Sequence, residues 1–522
     1  MNRKSSLLQL ETTTEWDVII IGGGATGLGA AMDAASRGFK TLLTEQADFA
    51  KGTSSKATKL VHGGVRYMAQ GDLGLVREAC FERGKLLQNA PHLTRNTSFV
   101  IPNYSWFDNI KYTVGLKFYD FLAGKLSLGK SRYISVRHTL EKLPNIKKEG
   151  LKGGVEYHDG QFDDARLALN VAQTAAEKGA CVLNYFKVTG LLKGGNGKIT
   201  GIKAKDIETG KEYEAKGKVV INATGVYVDN VLQMDKPNAP HFVRPSQGVH
   251  LTLDRSFLPG EAALMIPKTD DGRVLFAVPW HNKLIVGTTD TLREVPELEP
   301  RALEEEINFI LNTATRYLVK KPTRTDVLAV FAGLRPLAAP QGEGKSTKEI
   351  SRSHKIMVSD SGLITIIGGK WTTFRRMAQD TIDKAIQVAS LPANACVTAD
   401  MPIHGYDTTV DHHNEMHVYG SDIRSLKALE AAEPALQAPL LDNYPFTLAN
   451  VVFAVRDEMA LHVEDVLSRR IRLLLLDSKA AVAIAPRVAA AMAAELGKDE
   501  QWIEKEIKDF TELATKYEME FF

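Results

Sequence analysis

The feature that most restricts this chain is a strand that breaks into glycines and restarts as a helix. Asp17-Val-Ile-Ile-Ile-Gly22 is a short apolar, β-branched run of the kind buried in a parallel sheet, and it leads directly into Gly22-Gly23-Gly24-Ala25-Thr26-Gly27. From Thr26 to Arg37 the composition is helical, Gly38 closes the segment, and Lys40–Thr44 reads as a second strand ending at Glu45. The GxGxxG pattern therefore sits inside a βαβ unit. Gly22 permits the tight turn, Gly24 lets backbone approach a pyrophosphate, and Gly27 lets the helix close on the strand. Ala25 and Thr26 lie in the same helix N-terminus, which favours negative charge. Glu45, about 20 residues beyond the glycines, is placed to accept hydrogen bonds from a ribose diol.

The fingerprint alone does not separate NAD from FAD, and two further segments do. Gly217-Lys-Val-Val-Ile-Asn-Ala-Thr-Gly225 reads as a buried strand ending in Ala223, Thr224 and Gly225, a pattern associated with flavoproteins. Gly362-Leu-Ile-Thr-Ile-Ile-Gly-Gly-Lys370 is a second strand breaking into glycines, with a helix expected from Thr372. A helix N-terminus fed by Gly368 and Gly369 suits a flavin ring or its phosphate chain. The three segments together point to FAD.

Length and composition set the frame. The 522 residues suffice for two or three domains, with 44% apolar content for their cores. A net charge of +2 gives no global signal for nucleic acid, so no nucleic-acid partner is expected. Cys80, Cys181 and Cys396 are far apart and show no CxxC spacing, which reads as reduced thiols in a cytosolic compartment. Met1–Trp16 lacks the apolar core of a secretory signal, and Ala480–Leu496 is broken by Pro486 and Arg487. The chain is expected to lie on a membrane rather than to cross one.

Downstream of the βαβ unit comes Gly52-Thr-Ser-Ser-Lys-Ala-Thr-Lys59-Leu-Val-His62-Gly63-Gly64-Val-Arg66-Tyr67. It resembles the flavin-contacting segment of FAD-dependent, quinone-linked glycerol-3-phosphate dehydrogenases. The resemblance continues through Tyr157–Arg166, Pro279-Trp280, Gly287–Asp290, Gly333–Leu337, Ser351-Arg352 and Gly368–Thr373, so that it covers most of Asp17 to Arg376 in order. Val455–Arg470 is similar to the helical cap of the same family. The resemblance implies an FAD loop at Thr53, Ser54, Ser55, Lys59, His62, Gly63 and Gly64. Val188, Ala223, Thr224, Gly225, Gly369, Lys370 and Thr372 would complete the cofactor site.

The implied reaction takes a hydride from C2 of glycerol 3-phosphate to flavin N5 and gives dihydroxyacetone phosphate, with quinone as the electron acceptor. Two alternatives stand beside it: an oxygen-reducing glycerol-3-phosphate oxidase, whose extra insertion is not seen here, and a flavin amine or amino-acid oxidase of the same fold class. Family resemblance puts Arg66, Tyr67 and Arg352 on the phosphate, where a planar guanidinium makes paired hydrogen bonds. It puts Arg335 and Lys370 near C2, two cations suited to alkoxide character. His62 is either the general base or a histidine that fixes the loop. Thr288 and Thr289 line the pocket or serve the sheet. Asp163-Asp164 before Ala165-Arg166 reads as a helix N-terminus rather than, with His158, a metal site, and His412-His413 belong to a polar linker; no metal is expected.

The expected class is α/β, α+β overall: a discontinuous Rossmann-like FAD domain (14–90, 155–240, 330–385), a mixed β-sheet substrate domain (91–154, 241–329) and a C-terminal helical cap (395–522). Pro392–Thr409 is the linker into the cap, and Ile471–Asp477 is expected in its core. Trp106–Lys125 mixes aromatics with Lys111, Lys117 and Lys125, followed by Lys130 and Arg132. It reads either as a segment for an anionic headgroup layer or as an ordinary amphipathic helix. The partners expected are glycerol 3-phosphate, quinone, a membrane surface met peripherally from the cytoplasmic face, and a second copy in a homodimer.

Overall fold

The computed structural model describes residues 1–65, 72–269, 272–339 and 354–522, the side chain of Lys125 excepted. Arg66, Tyr67 and Arg352 lie outside the described residues.

The fingerprint strand, Trp16–Ile21, runs parallel to Thr41–Thr44 on one side and to Glu212–Asn222 on the other. Cys181–Leu183 and Ile364–Ile367 extend the parallel set outward, and Lys355–Val358 closes one edge antiparallel. Period-two alternation divides this sheet between two cores. Val18, Ile20, Leu43, Val219 and Ile221 face helices Ala25–Ser36, Asp164–Glu177 and Phe374–Ala389. Ile19, Ile21, Leu42 and Val220 face the other way, onto the antiparallel ribbon Phe186–Lys193 and Ile199–Asp206 and helix Val228–Asp235. Both faces are covered, which is why the strands read as unbroken apolar runs. Ile20 is fully buried, and truncation to alanine there costs about 2–5 kcal/mol.

A second sheet of ten strands among the described residues is built on Val243–Asp254, which pairs antiparallel with both Lys283–Gly287 and Val327–Ala338. It continues through Leu275–Trp280, Ala263–Ile266, Thr94–Pro102 and Gly154–Phe162 to the short strand Leu60–Val61. The expected division of the chain needs correction here. Leu60–Val61, Gly154–Phe162 and Val327–Ala338 pair in this sheet, although the nucleotide side was expected to hold most of them. A buried strand has the same apolar pattern whichever sheet it joins, so periodicity could not assign it.

The C-terminal helices Leu448–Glu458, Ser478–Leu496 and Glu500–Ala514 enclose a core with Leu473–Leu476 that reaches Trp280, Ile285 and Phe331 of the second sheet. Ser478–Leu496 runs continuously through Pro486. Buried ion pairs peg this unit to the nucleotide side: Arg469 and Arg470 on Asp48, Arg472 on Asp164 (2.6 Å) and Glu458 on Arg166 (2.6 Å). Removing one partner of such a pair leaves a buried charge uncompensated, a loss of about 3–5 kcal/mol.

Candidate active site

A cavity of about 460 Å³ opens at the carboxyl ends of the parallel strands, where α/β sheets bind their ligands. Gly22, Gly24, Ala25 and Thr26 line it on one side, Glu45 beside them, and Val188, Ala223, Thr224 and Gly225 opposite. Gly22 has φ +111°, and a Cβ there would meet the Ala223 carbonyl oxygen at 2.7 Å. At Gly27 a Cβ would lie 1.9 Å from the Gly22 carbonyl oxygen, so the helix can close on the strand only with glycine. Gly24, the N-cap of that helix, contributes no side-chain cap, and the helix dipole favours an anion there.

Around this turn the side chains are already positioned. Ser54 Oγ accepts from Ala25 N (2.9 Å), and Glu45 accepts from Gly23 N (2.6 Å) and Ala47 N (3.0 Å). Burial raises the Glu45 pKa, against the opposing pull of those two backbone donors. Each of its oxygens keeps a second lone pair. Thr53 Oγ1 donates to the Leu334 carbonyl, which fastens the 52–65 loop to the second sheet.

A second cavity, about 320 Å³, continues from the first through Thr53, Pro336, Gly368, Gly369, Lys370 and Trp371, which line both. Arg335 reaches it from Val327–Ala338, with Nη1 donating to the Thr289 carbonyl (3.1 Å), Nη2 to Thr288 Oγ1 (3.0 Å), and Asp290 at 3.8 Å. Lys370, Thr372 and His62 line the same space, and Thr372 Oγ1 donates to the His62 carbonyl (3.4 Å). A nucleotide-sized groove that turns at Gly368–Trp371 into a smaller chamber lined by Arg335 and Lys370 fits FAD.

Both threonines line the second cavity; Thr288 holds Arg335, and Thr289 is buried, donating to Glu306 (2.7 Å) and accepting from Val249 N (3.0 Å). Asp163 is the N-cap of helix Asp164–Glu177, accepting from Arg166 N (3.1 Å).

Five residues read as cofactor contacts are off the wall of both cavities: Gly27, Ser55, Lys59, Gly63 and Gly64. Lys59 is the clearest correction. Its ammonium is fully buried, donates to the Ser55 carbonyl (2.8 Å) and to both Asp164 oxygens (2.9 and 2.8 Å), and faces the rings of Trp280 and Phe331. Burial, with the neighbouring Arg472, brings its pKa down to about 7 against the pull of Asp164. At Gly63 a Cβ would meet Tyr119 Oη at 2.2 Å and Cys80 Sγ at 2.5 Å, so this glycine serves packing. These residues shape the loop from behind.

The sequence reading missed His250 and Gly248. His250 lines the second cavity, stacks on Phe331 (4.9 Å) and shares a hydrogen bond with Thr58 (3.0 Å). Burial, then Arg335 and Lys59, drive its pKa well below the ordinary range, so the imidazole is neutral. It follows no glycine fingerprint. The one local signal is Gly248, two residues earlier, whose missing side chain makes room for Arg335.

Comparison with known proteins follows the same outline. A family model for FAD dependent oxidoreductases matches residues 17–375, and one for the C-terminal domain of alpha-glycerophosphate oxidase matches residues 361–503. The mitochondrial glycerol-3-phosphate dehydrogenase of Mesocricetus auratus is 40% identical over 99% of this chain and 75% of its own length. The X-ray structure of the glycerol-3-phosphate dehydrogenase from Bacillus halodurans complexed with FAD is matched at a TM-score of 0.80 and 29% identity, over 98% of this chain and 97% of that one. The L-alpha-glycerophosphate oxidase from Mycoplasma pneumoniae with FAD bound shares the fold, at a TM-score of 0.57 and 17% identity over 72% and 95% of the two chains.

Proposed function

From this chain's membership of the FAD-dependent glycerol-3-phosphate dehydrogenases, a family of FAD dependent oxidoreductases, we propose that it oxidises glycerol 3-phosphate at a membrane surface and passes the electrons to quinone. The observation that carries the substrate reading is the second cavity. Its 320 Å³ suit a three-carbon phosphate ester, and Arg335 and Lys370 line it where the nucleotide groove ends.

FAD, when bound, supplies the acceptor for the hydride that leaves C2. The protein's part is to hold the substrate and manage charge. Arg335, fixed by Thr288 and the Thr289 carbonyl, and Lys370 stabilise negative charge on the C2 oxygen as its proton leaves. His62 takes that proton, and neutral His250 keeps the wall beside it polar without adding a third cation. Arg66, Tyr67 and Arg352 grip the phosphate, with arginine forks matching its oxygens.

The acceptor reading rests on helix Trp106–Ala123. Phe107, Ile110, Val114, Phe118 and Phe121 follow helical spacing on one face and are 73%, 66%, 64%, 43% and 76% exposed. Asn109, Leu116 and Tyr119 anchor the opposite face. No helix among the described residues is long and apolar enough to cross a membrane. An exposed apolar stripe flanked by Lys111 and Lys117 suits insertion into the headgroup layer, where a lipid-soluble quinone is met. The stripe favours quinone over oxygen, since an oxygen-reducing enzyme has no need of lipid.

The test is anaerobic mixing of the purified holoenzyme with glycerol 3-phosphate while the flavin absorbance is followed, then addition of a quinone analogue or air. Bleaching with fast recovery on quinone and slow recovery in air is expected. Fast recovery in air with peroxide would move the protein to the oxidase reading, and no bleaching would remove the substrate assignment.

A further inference from the structure

A third cavity, of about 370 Å³, shares no lining residue with the other two. It lies where the turn between Leu275–Trp280 and Lys283–Gly287 meets the segment leading into the C-terminal helices. Two arginines reach it from different elements. Arg95, on Thr94–Pro102, donates from Nε to Gln161 (2.6 Å) and forms no ion pair among the described residues. Arg255 donates to the Leu258 and Gly260 carbonyls and has Glu261, a mostly exposed carboxylate, at 3.5 Å. Burial depresses the pKa of both guanidinium groups, and Glu261 is the carboxylate that opposes this in each case. The wall also carries the carboxylates Asp163, Glu261 and Glu415; Asp163 is taken up by Arg472 and His281, Glu261 lies at Arg255, and Arg95 is left short of negative charge.

The imidazoles on the same wall have the opposite need. His281 donates from Nε2 to Asp163 (3.0 Å), His417 from Nδ1 to the His92 carbonyl (2.7 Å), and His412 to the Pro91 carbonyl. The rings are close, with His417 stacked on His281 at 6.0 Å and lying 4.7 Å from His412. In a neutral ring with one nitrogen donating, the other is an acceptor. His412 Nδ1 is buried with no partner among the described residues. Burial lowers His412 and brings His417 to about 3, so both present lone pairs at neutral pH. The cavity thus offers guanidinium donors beside imidazole acceptors.

We propose that this cavity binds inorganic hydrogen phosphate: its unprotonated oxygens accept from Arg95 and Arg255 while its P–OH donates to an imidazole nitrogen. A carboxylate, a sulfate or a phosphate monoester, whose second pKa lies at about 6, has little or no proton to give at neutral pH and would leave that acceptor unsatisfied. The site is independent of the substrate reading above. Its Asp163 precedes Asp164, the residue that holds Lys59, so the cavity abuts the ionic network behind the 52–65 loop.

Equilibrium dialysis of the holoenzyme with labelled inorganic phosphate at neutral pH tests this, with sulfate and a non-substrate phosphate monoester as competitors. The expected result is binding that sulfate displaces at least tenfold less well than phosphate. Arg95→Gln should weaken binding at least tenfold while the KM for glycerol 3-phosphate stays unchanged. Arg255→Gln, on a separate element, Arg255–Phe257, is the second variant should Arg95→Gln melt early. Weaker competition by the monoester than by phosphate agrees with the proposal, and competition equal to or better than phosphate overturns it. Equal displacement by sulfate, or unchanged binding in a folded Arg95→Gln or Arg255→Gln, overturns it.

Discussion

Gly248 and Arg335 compete for one volume: a Cβ on residue 248 would lie 2.3 Å from Arg335 Nη2 and 2.6 Å from Thr288 Oγ1. The strands that carry them pair in register, Gly248 opposite Gly333 and Ser246 opposite Arg335. The atoms that must yield to a Cβ are ends of side chains, so Gly248→Ala should move the guanidinium and spare the fold. Turnover with glycerol 3-phosphate is expected to fall about 10–100-fold, or ~1.4–2.7 kcal/mol of lost transition-state stabilisation. The melting temperature should barely change. Steady-state kinetics beside a thermal melt decide it, and undiminished turnover would mean that Arg335 does not act in the reaction.

Lys59 gives the reverse pattern. Its ammonium sits against Asp164 behind the loop, and Arg472 shares the same carboxylate. Lys59→Met keeps the volume and removes the charge, leaving a buried network short of one partner, with an expected loss of about 3–5 kcal/mol in stability. Because the Ser55 carbonyl also loses one of its two donors, keeping only Arg472 Nη2 (3.0 Å), the loop should loosen and the flavin-to-protein ratio of purified enzyme should drop. Denaturant unfolding and the flavin ratio measure the two effects. A variant as stable and as yellow as the parent would show that the network does not hold the loop.

The nucleotide half of this arrangement was legible because its chemistry is local. Gly22, Gly24 and Glu45 sit on one turn and the strand that follows it, so spacing along the chain is spacing in the fold. The strands Leu60–Val61 and Gly154–Phe162 were not legible in this way, since pairing partners a hundred residues apart leave no mark on either segment's pattern. Lys59 was misread for a related reason. Its place in a glycine-rich cofactor motif suggested contact, whereas its direction is set by Asp164 and Arg472 from elsewhere in the chain. His250 escaped notice because a histidine on a buried strand looks the same whether or not a cavity opens beside it.

Stability should depend on pH through two histidines that tie the C-terminal unit down. His404 lies between Asp422 (2.8 Å) and Glu177, and His462 between Glu506 (2.8 Å) and Glu208 (3.1 Å). Burial alone would depress both, but the paired carboxylates outweigh it and raise His404 to about 9 and His462 to about 10. The folded state therefore binds protons that the unfolded chain releases near pH 6.5. The stabilisation is complete below that pH and disappears as pH rises through about 9 to 10. Thermal melts across this range should show a steady fall in melting temperature, and His404→Gln with His462→Gln should flatten it. A slope unchanged by the double variant would assign the alkaline loss to other groups.

The stripe on helix Trp106–Ala123 makes its own prediction, because burying it in lipid and leaving it in water differ by a measurable amount. Phe107 and Phe121 are its most exposed members, at 73% and 76%. Full burial of an aromatic side chain contributes about 1.5–3 kcal/mol, so Phe107→Asp with Phe121→Asp should release most of the protein from anionic vesicles in a flotation assay. Neither side chain lines the substrate or nucleotide cavity, so turnover with a water-soluble artificial acceptor should match the parent. Turnover with a quinone held in the vesicles should fall in proportion to the lost binding. The flanking Lys111 and Lys117 add attraction that salt screens, so raising the ionic strength should weaken vesicle binding by the parent as well. If the double variant floats like the parent, the stripe serves some other contact and the lipid-borne acceptor is reached by a different surface.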